Sequence, residues 1–160
     1  MKKILWSFLF AMIVMTSCKS TSSAVNTKLD NKKEVMLKGD WRVISVDYTG
    51  KDYFAVNSFN IANSQCFINS EWNFISNNNK GQMKLNNPNT ECPEFSSPIT
   101  WYVNKDGQFV LKVINTHKAK KVKDGYVLDL NDITENSFKL VGKINVAGSV
   151  KNITYSFQRK

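Results

Sequence analysis

The sequence predicts an all-β protein built as an eight-stranded antiparallel up-and-down barrel. Apolar and polar side chains alternate with period two through eight successive segments, which is the pattern of strands with one buried and one solvated face. Short runs rich in Asn, Asp and Gly separate these segments, and such runs form the tight turns that make neighbouring strands antiparallel. Closing the sheet into a barrel also removes the edges at which open sheets aggregate.

Each predicted strand is identified by apolar side chains at every second position. In the first strand, one face is predicted to carry Trp41, Val43 and Ser45, with Val46 on the solvated face. The inward sets of the other strands are, in chain order, Trp72 and Phe74; Met83 and Leu85; Ile99, Trp101 and Val103; Phe109, Leu111 and Val113; Tyr126, Leu128 and Leu130; Phe138, Leu140, Ile144 and Val146; and Ile153, Tyr155 and Phe157.

The stretch Tyr53–Cys66 lacks this alternation. We predict that it carries one short helical turn near Phe59–Ile61. Because it interrupts the series of strands, we expect it to lie across one end of the barrel as a lid.

The N-terminal residues have the order of a bacterial lipoprotein signal peptide. A short basic start, Lys2-Lys3, is followed by the apolar run Ile4–Met15, and two small residues precede Cys18. The apolar run is shorter than the roughly 20 residues that a helix needs to span the hydrocarbon core of a bilayer. We therefore predict a signal peptide over residues 1–17 and lipid attachment at Cys18, with an ordinary secretory signal as the alternative.

Residues 18–36 are rich in Ser, Thr, Asn and Lys, so we predict a lipidated flexible tether there and the barrel domain over residues 37–160. Lipidation predicts a cell-envelope location, anchored to the lipid bilayer. Asp and Glu are absent directly after Cys18, which favours an outer-membrane position facing the periplasm. The net charge of +9 either favours an anionic partner or simply keeps the barrel soluble. Nucleic acid is not an expected partner of an exported protein.

Two cysteines remain for the folded domain once Cys18 carries lipid. Cys66 and Cys92 form an even pair in an oxidising compartment, which predicts a disulfide bond between them. The loop-entropy model assigns such a bond about 3.5 kcal/mol of stabilisation. Two free buried thiols are the alternative.

An eight-stranded barrel is either filled by its own side chains or holds one small ligand. The inward sets are bulky and aromatic, which favours a filled barrel. A ligand pocket is the alternative. Its predicted walls are the aromatic side chains Trp72, Phe74, Trp101, Tyr126 and Tyr155, whose polar atoms would orient a small hydrophobic ligand.

Motifs for catalysis are absent from the sequence. His117 is the single histidine, and no G-x-S-x-G, H-E-x-x-H or glycine-rich phosphate loop occurs. We therefore predict no enzymatic activity, no cofactor and no bound metal. The basic run His117–Lys123 either contacts anionic head groups or is a solvated edge whose lysines prevent sheet-to-sheet pairing.

Several segments together resemble a known family: Leu37–Trp41, Cys66–Phe74, Cys92 before Ile99–Trp101, Gly125–Leu128 and Ile153–Phe157. In these segments the chain is similar to the lipocalin-like domain lipoproteins of Bacteroidetes-type bacteria, roughly from Leu37 to Lys160. The resemblance implies a lipocalin-like barrel on a lipidated envelope protein and implies no reaction. By analogy of fold it implies a small apolar ligand. The alternative is a non-catalytic interaction or scaffold module of the envelope with a side-chain-filled barrel and an envelope protein as partner.

Overall fold

The computed structural model describes residues 29–49, 56–115, 125–146 and 148–160 of the chain. Its elements are α1 (Asn31–Leu37), β1 (Gly39–Tyr48), β2 (Asn57–Ser58), β3 (Ala62–Asn63), a 3₁₀ helix (Ser64–Phe67), β4 (Glu71–Ile75), β5 (Lys80–Leu85), β6 (Phe95–Val103), β7 (Gln108–Val113), β8 (Tyr126–Asn131), β9 (Ser137–Val146) and β10 (Ser149–Arg159).

All strands except β2 and β3 close into one eight-stranded barrel. From β4 to β10 each strand pairs antiparallel with the next one in the chain, and β1 closes the ring by pairing with both β4 and β10. The predicted up-and-down barrel is therefore confirmed. Its pairing follows from the short Asn-, Asp- and Gly-rich turns, which leave neighbouring strands no room to run parallel.

Strands β1 and β7 depart from strict alternation: β7 buries Phe109, Val110 and Leu111 in succession, and β1 contains a bulge. A register shift between Val43 and Ser45, where β1 pairs with β10, adds a residue to β1. Such a bulge reverses the faces of the residues that follow it. Val46 is consequently buried, whereas Ser45 is half-buried, so the faces predicted for these two residues are wrong.

Helix α1 begins in the segment 18–36, where composition predicted a flexible tether and no helix, and it ends at Leu37. Glu34 is 3% exposed, and its Oε1 accepts a hydrogen bond of 3.0 Å from the backbone N–H of Val103. Leu37 is fully buried in the core. Composition missed the helix because one apolar side chain and one buried carboxylate are enough to hold a short polar helix on the barrel.

The barrel end beside α1 is closed, and we call it the floor. The Trp41 indole N–H donates to the Leu37 carbonyl at 2.8 Å, and the Arg159 guanidinium carbon lies 4.2 Å from the centre of the Trp41 ring. Arg159 also donates to the backbone carbonyls of Met36 and Lys38, at 3.0 and 2.9 Å. The floor is thus closed by a stacked cation and by bonds to main-chain carbonyls.

Both ends of the described domain lie at the floor. Leu29 forms a β-bridge with Asn104, next to the turn between β6 and β7. The backbone N–H of Lys160 donates to the Asp40 carbonyl at 3.0 Å. The chain therefore enters and leaves the barrel at the same end, and β1 runs from there toward the opposite end, which we call the mouth.

Aromatic rings fill the barrel above the floor. The Trp41 and Phe138 ring centroids are 4.7 Å apart, and Phe138 stacks on Phe157 at 4.4 Å. Phe74 meets Trp101 edge-to-face at 5.0 Å. Each of these rings is at most 2% exposed. The lower part of the barrel is therefore a packed core, as the bulky inward sets predicted.

Candidate functional site: the barrel mouth

The mouth is covered by the segment Val56–Phe67, which we call the lid. It contains the β2–β3 hairpin and the 3₁₀ helix. The helical turn predicted near Phe59–Ile61 is wrong, because those residues form the hairpin turn and the helical turn begins at Ser64. Across the end of a barrel, a hairpin turn can point a side chain downward into the interior.

Two pairs of hydroxyl groups connect the lid to the barrel wall. The Ser58 Oγ and Tyr155 hydroxyl oxygens are 2.5 Å apart, and a second hydrogen bond joins the Tyr48 hydroxyl to Ser64 Oγ. The Gln65 side-chain amide also donates to a carbonyl of β1 at 3.1 Å. These bonds satisfy polar groups that the lid would otherwise bury without a partner.

The predicted disulfide between Cys66 and Cys92 is confirmed, with an S–S distance of 2.03 Å and a Cα–Cα distance of 5.4 Å. It joins the 3₁₀ helix of the lid to the connection between β5 and β6. A hydrogen bond of 3.0 Å from the Asn87 side-chain amide to the Gln65 carbonyl strengthens the same junction. The base of the lid is therefore fixed to the barrel rim by a covalent bond.

Phe59 is the lid residue that reaches into the barrel. It packs edge-to-face on Phe67 at 5.2 Å and on Tyr126 at 5.1 Å, and its ring centroid lies 5.5 Å from that of Tyr155. Trp72 lies 6.3 Å away. One lid side chain is thus surrounded by four aromatic rings of the barrel and of the lid base.

Two cavities of the mouth have Phe59 in their linings. The first has a volume of about 320 Å³ and is lined by residues that include Phe59, Ile61, Phe95, Val113 and Tyr126. The second has a volume of about 350 Å³, and its lining includes Ser58, Phe59, Tyr126, Gly142, Ile144 and Tyr155. Both volumes fall at the lower end of the range of about 300–1,000 Å³ that small-molecule sites occupy.

The second cavity lies beside a part of the barrel wall where pairing ends. The pairing of β8 with β9 covers Asp129–Asn131 against Lys139–Val141. The cavity touches the residues that follow toward the mouth, Tyr126–Leu128 on β8 and Gly142–Ile144 on β9. Space for a ligand is therefore available at the side of the mouth as well as at its top.

A larger depression of about 540 Å³ lies outside these two cavities, along residues 84–87 and 92–96. Its lining combines the polar or charged residues Lys84, Asn86, Asn87, Glu94 and Ser96 with Leu85, Cys92, Pro93 and Phe95. A ligand bound there would have to remove Lys84 and Glu94 from water, which costs free energy that apolar burial must offset.

The structure brings the five predicted wall residues together but places them at two depths. Trp72, Phe74 and Trp101 are buried in the packed core, with Trp72 and Phe74 6.0 Å apart and Phe74 and Trp101 in contact below the lid. Tyr155 is buried under the lid, and the half-buried Tyr126 lines both cavities. Tyr126 and Tyr155 line the cavities of the mouth. The ligand-binding role of all five residues stays a prediction.

Sequence reasoning missed Phe59, Ile61 and Phe95 as wall residues. Phe59 and Ile61 belong to the segment without alternation, where periodicity gives no information on side-chain direction. Phe95 begins β6 and was left out of the inward set of that strand. A usable signal was present in the lid itself, because a phenylalanine inside a polar turn segment has to bury its ring somewhere.

Burial dominates the electrostatics of Tyr155. It raises the pKa of the Tyr155 hydroxyl to about 12, partly offset by the hydrogen bond with Ser58 and reinforced by Tyr48. The hydroxyl is therefore protonated and neutral at physiological pH. It can donate to or accept from a polar group of a ligand without introducing charge into the mouth.

Metal ligands do not gather at the site. Within residues 29–49, 56–115, 125–146 and 148–160, no three His, Cys, Asp or Glu side chains form a group that could hold a metal ion. Two predicted features lie outside the described residues: Cys18 and the basic run His117–Lys123, which includes Lys118, Lys120 and Lys121. Their roles therefore stay predictions. None of the helices described has both the length and the hydropathy needed to cross a bilayer.

Comparison with known proteins adds a general likeness of fold. No protein-family model matches the sequence, and no curated protein matches it. Among solved structures, a complex of bovine odorant-binding protein with a selenium-containing odorant is 12% identical, with a TM-score of 0.46, and the alignment covers 79% of this chain and 72% of that one. Lobster apocrustacyanin A1 is 14% identical, with a TM-score of 0.43, covering 83% of this chain and 70% of that one.

Likeness at this level does not identify a ligand, a partner or an activity for this chain. The barrel itself, with eight strands in up-and-down order, has the lipocalin-like arrangement that the sequence resemblance implied. Membership of a bacterial lipoprotein family stays a prediction.

Proposed function

We propose that this protein is a membrane-anchored envelope lipoprotein whose barrel mouth binds a small apolar ligand. The observation that supports ligand binding is the pair of cavities beside Phe59 and Tyr126, above a core that is otherwise packed. Apolar and aromatic walls with a few hydroxyl groups are typical of small-molecule sites. The ligand gains binding free energy by removing apolar area from water, and the Ser58–Tyr155 hydroxyl pair orients it.

Ligand binding is tested on residues 19–160, a chain that contains every described strand and helix. Native mass spectrometry after gentle purification is expected to show a co-purified small molecule. Titration with neutral apolar compounds and fatty acids is expected to change the fluorescence of Trp72, which lies 6.3 Å from Phe59. Fluorescence that stays constant across the whole panel, with no retained molecule, would show that the barrel is not a carrier.

The anchoring part of the proposal is supported by the order of residues before Cys18. Several acyl chains on one cysteine give stable membrane attachment, because each buried methylene contributes about 0.8 kcal/mol. Cells fed an alkyne-labelled fatty acid are expected to label the full-length protein, and Cys18→Ser is expected to abolish the label. Recovery of Cys18→Ser in the same membrane fraction as the wild type, equally labelled, would contradict the anchor.

The proposed location is the outer membrane, with the barrel in the periplasm. Separation of the two membranes of a bacterial host is expected to place the protein with the outer membrane. Protease added to intact cells is expected to leave the barrel uncut, and permeabilised cells are expected to lose it. Cleavage in intact cells would place the domain on the cell exterior instead.

A second candidate function is a scaffold or interaction module of the envelope. The packed rings below the lid favour it, because a barrel filled by its own side chains, as around Phe74, can serve as a rigid platform. Crosslinking in cells is expected to capture one reproducible envelope protein if this candidate is correct. A retained small molecule without such a protein favours the carrier.

A further inference from the structure

The Phe59 side chain is held in the mouth by an unusual turn. Phe59 and Asn60 both have φ values of +54°, and the Ile61 N–H donates to the Ser58 carbonyl at 3.0 Å. This is the geometry of a type I′ turn, whose two central positions favour Asn and Gly. A phenylalanine with positive φ is uncommon, so contacts of its ring have to compensate for the backbone conformation.

Those contacts make a binding site for one aromatic ring. Phe67, Trp72, Tyr126 and Tyr155 surround Phe59, and three of the four meet it at interplanar angles between 68° and 84°. Edge-to-face contacts of this kind stabilise aromatic pairs beyond the area that they bury. The position of the Phe59 ring is therefore complementary to a phenyl group, whichever molecule supplies it.

Phe59 belongs to the linings of both cavities of the mouth. It lines the cavity of about 320 Å³ and the cavity of about 350 Å³, as do Asn60 and Tyr126. Movement of the Phe59 ring out of the barrel would join the two volumes through the ring's present position. The joined space would contain an aromatic centre with apolar extensions on both sides.

The polar groups at this position favour a neutral ligand. The Ser58 and Tyr155 hydroxyl oxygens lie 2.5 Å apart beside the ring, and burial keeps the Tyr155 hydroxyl protonated. Lys143 is the one charged side chain among the described lining residues of the two cavities, and its Nζ is 2.7 Å from Asp129 Oδ2. A carboxylate entering the mouth would lose its hydration and find no free cation there among the described residues.

We infer that the Phe59 ring occupies an aryl-binding site of the mouth, and that the ligand is a small neutral aromatic molecule carrying a hydroxyl or carbonyl group. The inference rests on the proposed ligand-binding function and specifies its ligand class. The ligand ring replaces the Phe59 ring among the four surrounding rings, and its polar group bonds to Tyr155 or Ser58. The apparent affinity is lowered by the fraction of molecules in which Phe59 is still in place.

The experiment compares two probes of matched shape, 4-phenylphenol and its saturated analogue 4-cyclohexylcyclohexanol, on residues 19–160 by isothermal titration calorimetry. Phe59→Ala is expected to raise the affinity for 4-phenylphenol by roughly tenfold or more, because the site no longer has to be vacated. The gain for the saturated analogue is expected to be clearly smaller, since it makes no edge-to-face contacts.

Three further variants act as controls. Glycine adopts a positive φ without strain, so Phe59→Gly keeps the turn intact. It is expected to give the same gain in affinity for 4-phenylphenol, even if Phe59→Ala lowers the stability of the protein. Val35→Ala changes a 64% exposed side chain of α1 at the floor, outside the linings of both cavities, and it is expected to leave both affinities unchanged. Tyr155→Phe is expected to weaken the binding of 4-phenylphenol several-fold and that of biphenyl very little.

The outcomes separate the inference from the proposed function. Equal affinity of wild type, Phe59→Ala and Phe59→Gly for 4-phenylphenol would overturn the inference while leaving ligand binding intact. Tighter binding of the saturated analogue or of a fatty acid to the Phe59 variants would also overturn it. Failure of wild type and variants alike to bind any probe, including those of the wider panel, would remove the proposed carrier function and the inference with it.

Discussion

The floor and the mouth close the same barrel by different means. At the floor, Arg159 donates to the carbonyls of Met36 and Lys38 and stacks on Trp41, so one side chain joins both ends of the domain to the core. These contacts connect elements that also pair directly in the sheet, since Trp41 and Arg159 are partners in the β1–β10 ladder. Opening the floor therefore requires unfolding of the barrel.

At the mouth, closure depends on side-chain contacts of a segment that does not pair in the barrel sheet. The lid is held by the Cys66–Cys92 disulfide, by two hydroxyl pairs and by the ring of Phe59. It adds a two-stranded hairpin of its own but no strand to the barrel. Such a segment can open locally at a free-energy cost well below that of global unfolding. The difference places stability at the floor and ligand access at the mouth.

The largest expected effect comes from breaking the floor. Trp41→Ala removes a fully buried ring together with its bond to Leu37 and its stacking on Arg159. We expect the free energy of unfolding to fall by about 3–5 kcal/mol, measured by urea denaturation. The matched control is Val150→Ala on the neighbouring strand β10, where the side chain is 69% exposed and the change should stay within about 0.5 kcal/mol. Similar losses for both variants would contradict the proposed role of the floor.

Removal of the disulfide is expected to have the next largest effect. Replacing Cys66 and Cys92 together by Ser should cost about 3.5 kcal/mol if the loop-entropy account holds. Because the disulfide fixes the lid to the barrel rim, we expect the lid to lose more stability than the floor. Amide hydrogen exchange should accelerate in the lid, Val56–Phe67, beyond what the lowered global stability explains, while Trp41 and its neighbours follow global unfolding. Uniform acceleration across the barrel would show that the lid does not open by itself.

The smallest expected effect concerns pH and one hydroxyl group of the mouth. An unfolded chain loses the Tyr155 proton near pH 10, whereas burial holds the pKa of this hydroxyl at about 12 in the folded protein. The folded state therefore keeps the proton longer, and stability falls as the pH rises from about 10 to 12, by about 1.4 kcal/mol per pH unit. Below pH 10 the group contributes no pH dependence.

Tyr155→Phe is expected to remove this contribution, so that its unfolding free energy falls less steeply than that of the wild type in this range. Urea denaturation at several alkaline pH values measures the slopes of the wild type and of Tyr155→Phe. Parallel slopes for wild type and Tyr155→Phe would show that the hydroxyl is not held in a buried environment.

Alternation in the sequence was sufficient to predict the strands and their inward sets, because burial on one face of a sheet imposes period two. It failed where a residue is added to a strand, as at Val46, whose face depends on the bulge before it. It also gave no account of α1, since Glu34 is buried through one hydrogen bond rather than through hydrophobicity.

The candidate site was predicted only in part, because alternation tells which face a side chain lies on and not how far along the barrel it sits. Trp72, Phe74 and Trp101 are inward as predicted, but they lie below the lid in the packed layers. Phe59 could not be placed, since a type I′ turn without glycine gives no sequence signal for its direction. The disulfide was predictable, because two cysteines in a domain predicted to be exported leave one pairing.

The position of the chain ends has a consequence for how the protein is mounted on a surface. Lys160 lies at the floor, so a tag or a solid support joined there leaves the opposite rim facing the solution. Leu29 lies at the floor as well, so a lipid on Cys18 would keep the floor within about 40 Å of the bilayer, the full extension of the connecting residues. Cargo would then arrive from the aqueous side rather than directly out of the bilayer.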